Sequence, residues 1–390
     1  MIKETQVRTK RLGGVALSLA AALAIAACGS SNSSSTSKAA GGGGSTGTGT
    51  SASGGSSGGA ISPGTLNGAG STLAQPIYQQ WGSTLKSKGL TVNYNGVGSG
   101  AGIADLQTAT VDFAGSDPAL KPEDTKAMKG PALQYPVAFG AITVSYNLPG
   151  IKSGLKLDGP TLADIFSGKI KTWNDPAIKS LNPGVSLPST AITVVHRSDS
   201  SGTTKGFTTY LSDVSPSWKS TIGADKDVKW PTGTGAAKNS GVAAAVKQTA
   251  GAVGYVEQAY ALLNGFTYAS VKNSSGKFIE PTIQNTSAAA NGISVPADLG
   301  ISTINSPAPD AYPIVSQTFL VAYQDPCKDG KESASTAKAL KSFLSYAFGA
   351  GQQTLGSGSD KLPYAPLPSN LVSKNNAQLQ KMTCNGSPIS

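Results

Sequence analysis

Val194-Val195-His196-Arg197-Ser198-Asp199-Ser200-Ser201-Gly202-Thr203-Thr204 is the stretch from which the fold of this 390-residue chain is read. The apolar run Ile192 to Val195 predicts a strand, and Phe207, Tyr210 and Leu211 beyond it predict a helix. A strand that feeds a helix through a short corner of glycine and hydroxyl residues is the building unit of α/β folds, whose ligand sites lie at strand ends. The corner also carries Arg197. The other two arginines, Arg8 and Arg11, lie near the chain start, and the one histidine, His196, is its neighbour. A guanidinium presents a rigid fork of donors matched to an oxyanion, whereas lysine is a flexible point charge. A lone arginine among small hydroxyl residues therefore marks an anion site. The alternative is a structural arginine paired with Asp199.

The same alternation extends in both directions. Leu73, Ile77, Trp81 and Leu85 recur at helical spacing, Leu90 to Tyr94 reads as a strand, and Ile103 with Leu106 begins another helix. Val111 to Gly115 and Ala141 to Tyr146 read as strands, and Leu162 to Phe166 as a helix. A helix near Val242 to Val246 is followed by a strand at Ala252 to Val256. The longer apolar strand Ile314 to Tyr323 precedes a helix bearing Leu340, Phe343, Leu344 and Ala347. The pattern predicts an α/β protein with mainly parallel sheets.

Two further corners have the form of the first. Asn67-Gly68-Ala69-Gly70-Ser71-Thr72-Leu73 precedes an amphipathic helix, and Gly96-Val97-Gly98-Ser99-Gly100-Ala101-Gly102 lies between a strand and a helix. Free N–H groups and the helix dipole favour an anion at such places. Any single corner is equally well explained as a capped helix. The Walker A lysine is missing, and Gly96, Gly98 and Ala101 match a dinucleotide fingerprint only weakly, so nucleotide binding is disfavoured. The fourth place is Val111-Asp112-Phe113-Ala114-Gly115-Ser116-Asp117. An ionised aspartate beside an anion is unfavourable unless the anion brings a proton, as phosphate does near neutral pH and sulfate does not. Leaving a buried polar group unpartnered costs about 1–3 kcal/mol, and more for a charge, so such a carboxylate discriminates between the two.

The ends of the chain speak of export. Lys3, Arg8, Lys10 and Arg11 precede the apolar run Val15 to Ala27, a leader over residues 1–27 that is too short for a transmembrane helix. Ile25-Ala26-Ala27-Cys28 is similar to a bacterial lipobox, in which Cys28 becomes a lipid-modified N-terminus held at the outer face of the membrane. Residues 28–60 form a Gly/Ser-rich tether. Without residues 1–27 the net charge falls from +10 to +7. This balance comes without a lysine run or a basic patch interleaved with aromatics, which argues against a nucleic-acid partner. Cys327 and Cys384 then remain in an oxidising compartment, as a disulfide tying down the C-terminal segment or as two buried thiols. One histidine and no Cys/His cluster at metal-ligand spacing argue against a zinc site, and neither metal nor cofactor is expected.

Taken together, the chain closely resembles the phosphate-binding lipoproteins of bacterial phosphate ABC transporters, of type II periplasmic-binding-protein fold. The resemblance is carried by Gly68 to Thr72 with Pro76, Tyr78 and Trp81, by Tyr94 to Gly102, and by Val111 to Phe113 with Ser116-Asp117. It continues through Arg197 to Thr203, Gly241 to Ala243, Gly251 to Glu257 and Tyr312 to Ile314, and spans about residues 65–380. It implies two lobes joined by a two-strand hinge, 61–138 with 312–390 and 139–311. It further implies that phosphate is held by Thr72, the Leu73 backbone, Ser99, Asp117, Arg197, Ser201, Gly202 and Thr203, with Asp199 orienting Arg197 and Asp117 accepting the phosphate proton. The implied partners are inorganic phosphate and the permease and ATPase subunits of the transporter, with no catalysis. Other readings are a receptor for another oxyanion, an envelope phosphate sensor, or a hydrolase using Ser201 as nucleophile and His196 as base.

Overall fold

The computed structural model describes residues 60–390; the leader, Cys28 and all but the last residue of the tether lie outside the described residues. Eight strands form one continuous row: β1 Gly64–Gly70, β2 Leu90–Gly96, β3 Phe113–Ser116, β4 Ala132–Tyr146, β5 Thr193–Arg197, β6 Thr234–Ala236, β7 Ala252–Glu257 and β8 Val315–Tyr323. Their order in space is β2-β1-β3-β8-β4-β7-β5-β6, with Thr267–Tyr268 beside β4 as a ninth strand. The expected parallel pairing occurs on both flanks, β2-β1-β3 and β7-β5-β6. The centre is antiparallel, because β8 runs against both β3 and β4, and β4 runs against β7.

β4 is the element that joins the flanks. Its first part pairs with β8 and its last residues, Ile142 to Tyr146, pair with β7. All residues from Tyr135 to Tyr146 are buried, the near-continuous apolar pattern of a strand covered on both faces. Pro136 has no N–H for the ladder, and the register with β8 shifts between Thr318 and Phe319, opposite it. The pairing resumes at Ala138 opposite Thr318, and at its far end Ile142 N–H donates to the Ile314 carbonyl at 2.8 Å.

β1 departs from the sequence expectation, which placed only a corner there. Its sequence, GTLNGAG, is poor in strand formers. It is a strand because β2 and β3 pair on either side of it. Gly68 is needed at this point, since a Cβ there would overlap the Phe113 ring. That ring belongs to an aromatic cluster with Tyr78, Tyr94 and Phe343. The helix Gln75–Lys86 presents Ile77, Tyr78, Trp81 and Leu85 to this core, each such side chain contributing about 1.5–3 kcal/mol by burial. On the other flank, Phe207 of the helix Gly202–Val214 stacks on Tyr255 of β7, ring centroids 4.5 Å apart.

Cys327 and Cys384 form a disulfide, which settles the two readings of this pair. Among the described residues, none of the helices is long and apolar enough to cross a membrane, and no group of His, Cys, Asp or Glu is arranged to hold a metal ion.

Candidate functional site

The corners after β1, β2 and β5 and the residue after β3 converge where the strand ends meet. After β1, Ser71 turns the chain: its Oγ accepts the N–H groups of Leu73 (3.0 Å) and Ala74 (3.2 Å) and donates to Asp117 Oδ1 at 2.5 Å. The Leu73 N–H, expected to face a ligand, is therefore engaged within its own corner here, and the Leu73 carbonyl accepts the Tyr364 hydroxyl at 2.7 Å. Thr72 is buried and its carbonyl accepts the Tyr260 hydroxyl at 2.9 Å. After β2, Ser99 opens the helix Ser99–Thr108, and its Oγ accepts the Asp117 N–H at 3.3 Å.

After β5, Ser201 caps the helix that begins at Gly202, its Oγ accepting the Thr204 N–H at 3.1 Å. Gly202 and Thr203 are the first two residues of that helix, so their N–H groups are free of intrahelical bonds. Gly202 lies directly against Asp117 and Ser99: a Cβ there would clash with Asp117 Oδ2 and Ser99 Oγ. The second and third corners touch through the backbone as well, Gly100 N–H donating to the Ser200 carbonyl at 3.1 Å. Thr72, Ser99, Asp117, Arg197, Ser201 and Thr203 thus gather in one polar interior, each at most 3 % exposed.

Arg197 is held as the sequence suggested. Its Nε donates to Asp199 Oδ1 at 2.7 Å, a second guanidinium nitrogen reaches Asp199 Oδ2, and Nη1 donates to Thr203 Oγ1 at 3.3 Å. Burial pushes the Asp199 carboxyl up, but the Arg197 hydrogen bonds and charge, with the Lys238 N–H, bring it below the usual carboxylate range. A fork fixed in this way cannot turn aside, so its remaining donor capacity is pre-aimed.

Asp117 is the least comfortable group in the site. It is 1 % exposed; Ser71 occupies Oδ1, while Oδ2 has no hydrogen-bond partner among the described residues. Burial raises its pKa to about 6, against the opposing Ser71 hydrogen bond, the neighbouring Thr318 and Ser99 hydroxyls and the charge of Arg197. Hydroxyl donors and a guanidinium on one side, with a single acceptor on the other, suit an oxyanion that carries a proton.

The structure adds residues that the sequence did not single out. Asn239 is fully buried and bonded to Thr72 and Thr203. Glu257, at the end of β7, accepts the Tyr364 hydroxyl at 2.9 Å and the Ala259 N–H at 2.8 Å, and burial holds its carboxyl well above the ordinary range. Ser71 lay within a quoted corner, but its bond to Asp117 spans 46 positions, and Asn239 reaches Thr72 across 167. His196 stands apart: its ring stacks on Trp230 at 4.8 Å and Nδ1 lies 3.0 Å from the Arg197 carbonyl. Among the described residues no hydrogen bond joins the His196 ring to Ser201 Oγ, so the two are not arranged as base and nucleophile.

Comparison with known proteins gives a consistent answer. Residues 29–350 match the family model of the PBP superfamily domain. The chain is 42 % identical over 318 residues to a phosphate-binding protein PstS of Pasteurella multocida, covering 80 % of this chain and 89 % of that protein. It is 40 % identical to a phosphate-binding protein PstS of Haemophilus influenzae, covering 80 % and 92 %. Among solved structures, a high-affinity periplasmic phosphate-binding protein bound with phosphate superimposes with a TM-score of 0.64 at 24 % identity, over 80 % of this chain and 93 % of that one. A phosphate ABC transporter substrate-binding protein from Clostridium perfringens gives a TM-score of 0.56 at 17 % identity, over 78 % and 100 %. These last two likenesses concern the fold.

Proposed function

Because the chain belongs to the PBP superfamily, and within it to the PstS phosphate-binding proteins, we propose that it is an extracytoplasmic receptor that captures inorganic phosphate for an ABC transporter. The observation that carries this reading is the buried, unpartnered Oδ2 of Asp117 set among hydroxyl donors and Arg197. An ionised carboxylate there accepts a P–OH from phosphate and only repels a fully deprotonated oxyanion. The hydroxyls of Thr72, Ser99, Ser201 and Thr203, the N–H groups of Gly202 and Leu73, and the Arg197 fork supply donors to the remaining oxygens. Engaging the ligand requires Leu73 N–H to leave Ser71.

In this reading residues 61–138 with 312–390 form one lobe and 139–311 the other, and phosphate favours the closed form by contacts to both. Lys121–Asp225 (3.0 Å) and Lys226–Asp124 (3.6 Å) pair residues of the two proposed lobes and support closure in the same sense. Delivery is to permease and ATPase subunits, without covalent chemistry. Lipidation of Cys28 would hold the receptor at the outer face of the cell membrane on its tether.

Calorimetric titration tests the proposal. Tight phosphate binding with little heat from sulfate is expected, and arsenate, which also carries a proton, should compete. Equal binding of sulfate and phosphate would remove the role given to Asp117. Phosphate uptake at low concentration in a deletion strain separates transport from sensing, since a sensor leaves uptake intact.

A further inference from the structure

Asn239, the second residue of the helix Lys238–Gln248, is 0 % exposed and touches hydroxyls from two of the converging corners. Its Nδ2 donates to Thr72 Oγ1 at 3.0 Å and to Thr203 Oγ1 at 3.3 Å. Its Oδ1 accepts the Glu257 N–H at 3.0 Å, which fixes which end of the amide carries the hydrogens. A hydroxyl has two lone pairs and one proton. At Thr72 Oγ1 the lone pairs take Nδ2 and the backbone N–H of Asn239, the latter at 3.3 Å. At Thr203 Oγ1 they take Nδ2 and Arg197 Nη1, also at 3.3 Å. Amide and guanidinium nitrogens donate and cannot accept, so each hydroxyl has only its proton left to offer.

We propose that Asn239 is a positioning residue for anion selection: it turns the Thr72 and Thr203 hydroxyls into obligate donors, so that neither accepts a ligand proton and that role falls to the Asp117 carboxylate. A freely rotating hydroxyl would serve a P–OH or a P–O⁻ equally well. Two that are locked as donors oppose a second P–OH, so the site favours the singly protonated phosphate dianion over the doubly protonated monoanion. This inference rests on the phosphate reading above and deepens it.

The test is a double-mutant cycle on phosphate affinity, measured by calorimetry on the full chain. Asn239→Ala in the wild-type background should weaken phosphate about tenfold. In a Thr72→Val or Thr203→Val background the same change should cost clearly less, about threefold. The pH profile supplies a readout that general loosening would not reshape. From about pH 8 to pH 6 the wild type should lose affinity more steeply than Asn239→Ala, because only the wild type penalises the second ligand proton. If Asn239→Ala does not fold, Asn239→Ser retains an oxygen for the Glu257 N–H and is put through the same cycle. Full additivity with both threonine variants, or identical pH slopes, overturns this inference while leaving phosphate binding in place. Failure of the wild type to bind phosphate overturns the functional reading itself, and this inference with it.

Discussion

Asp117→Asn should convert a pH-gated rejection of sulfate into pH-independent acceptance. Burial places the Asp117 pKa at about 6, and Oδ2 has no partner among the described residues. Sulfate brings no proton, so it binds well only when Asp117 is itself protonated and donates. At about pH 7.5 that form is roughly one molecule in 30, a cost of about 2 kcal/mol at ~1.4 kcal/mol per pH unit. Wild-type sulfate affinity should therefore rise about tenfold for each pH unit lost above 6, then level off. In the Asn variant the oxygen retains the Ser71 bond while the amide N–H₂ donates to sulfate at every pH. Sulfate affinity at pH 7.5 should thus gain about 30-fold. Phosphate loses a charge-assisted acceptor worth about 1–2 kcal/mol, or roughly 5- to 30-fold. Selectivity should fall by about two to three powers of ten. Calorimetry of both anions between about pH 5.5 and 8 reads this directly. A flat wild-type sulfate profile, or the same slope in the variant, would refute the reasoning. The sign for stability is also defined. The folded pKa lies above the ordinary 3.8, so the contribution is full below 3.8 and is lost as pH rises through about 6. Ligand-free Asp117→Asn should gain on wild type over that window, by up to about 3 kcal/mol, in urea titrations.

Gly202→Ala should weaken phosphate binding by about 1–3 kcal/mol, because the new methyl meets Asp117 and Ser99; an affinity within twofold of wild type would show that the corners need not approach so closely. Arg197→Lys gives up the two-pronged bond to Asp199 and the bond to Thr203, and phosphate affinity should drop about 100-fold, some 3 kcal/mol, with Asp199→Asn giving a smaller loss in the same calorimetric assay. Replacing Cys327 and Cys384 together by serine removes a bond across a sequence separation of 57, for which chain entropy gives up to about 4 kcal/mol. Tm should fall by several degrees while phosphate affinity stays within twofold, and an unchanged Tm would count against that account.

Much of the site was legible because its parts are local. A strand, a glycine-hydroxyl corner and a helix occupy one short stretch, so the Ser201 cap and the Arg197–Asp199 pair follow from neighbours two or three positions apart. The amphipathic spacing of Ile77, Trp81 and Leu85 likewise names its own buried face. β1 was not legible: three glycines in seven residues argue against a strand, and only pairing with β2 and β3 on both sides overrides that preference. The state of Cys327 and Cys384 was equally open until the fold placed their Cα atoms 5.0 Å apart.

By itself, then, the sequence determined the alternation of elements, the chemistry of the corners and the expectation of a proton-bearing oxyanion, all of which depend on residue type and short spacing. Tertiary structure decided what those groups can do. It set the energetic state of Asp117, since desolvation depends on everything packed around a carboxylate and not on its neighbours in the chain. It also decided which hydroxyls are free to turn, because Asn239 reaches Thr72 only across 167 positions of folded chain, and a hydrogen bond is formed by distance in space.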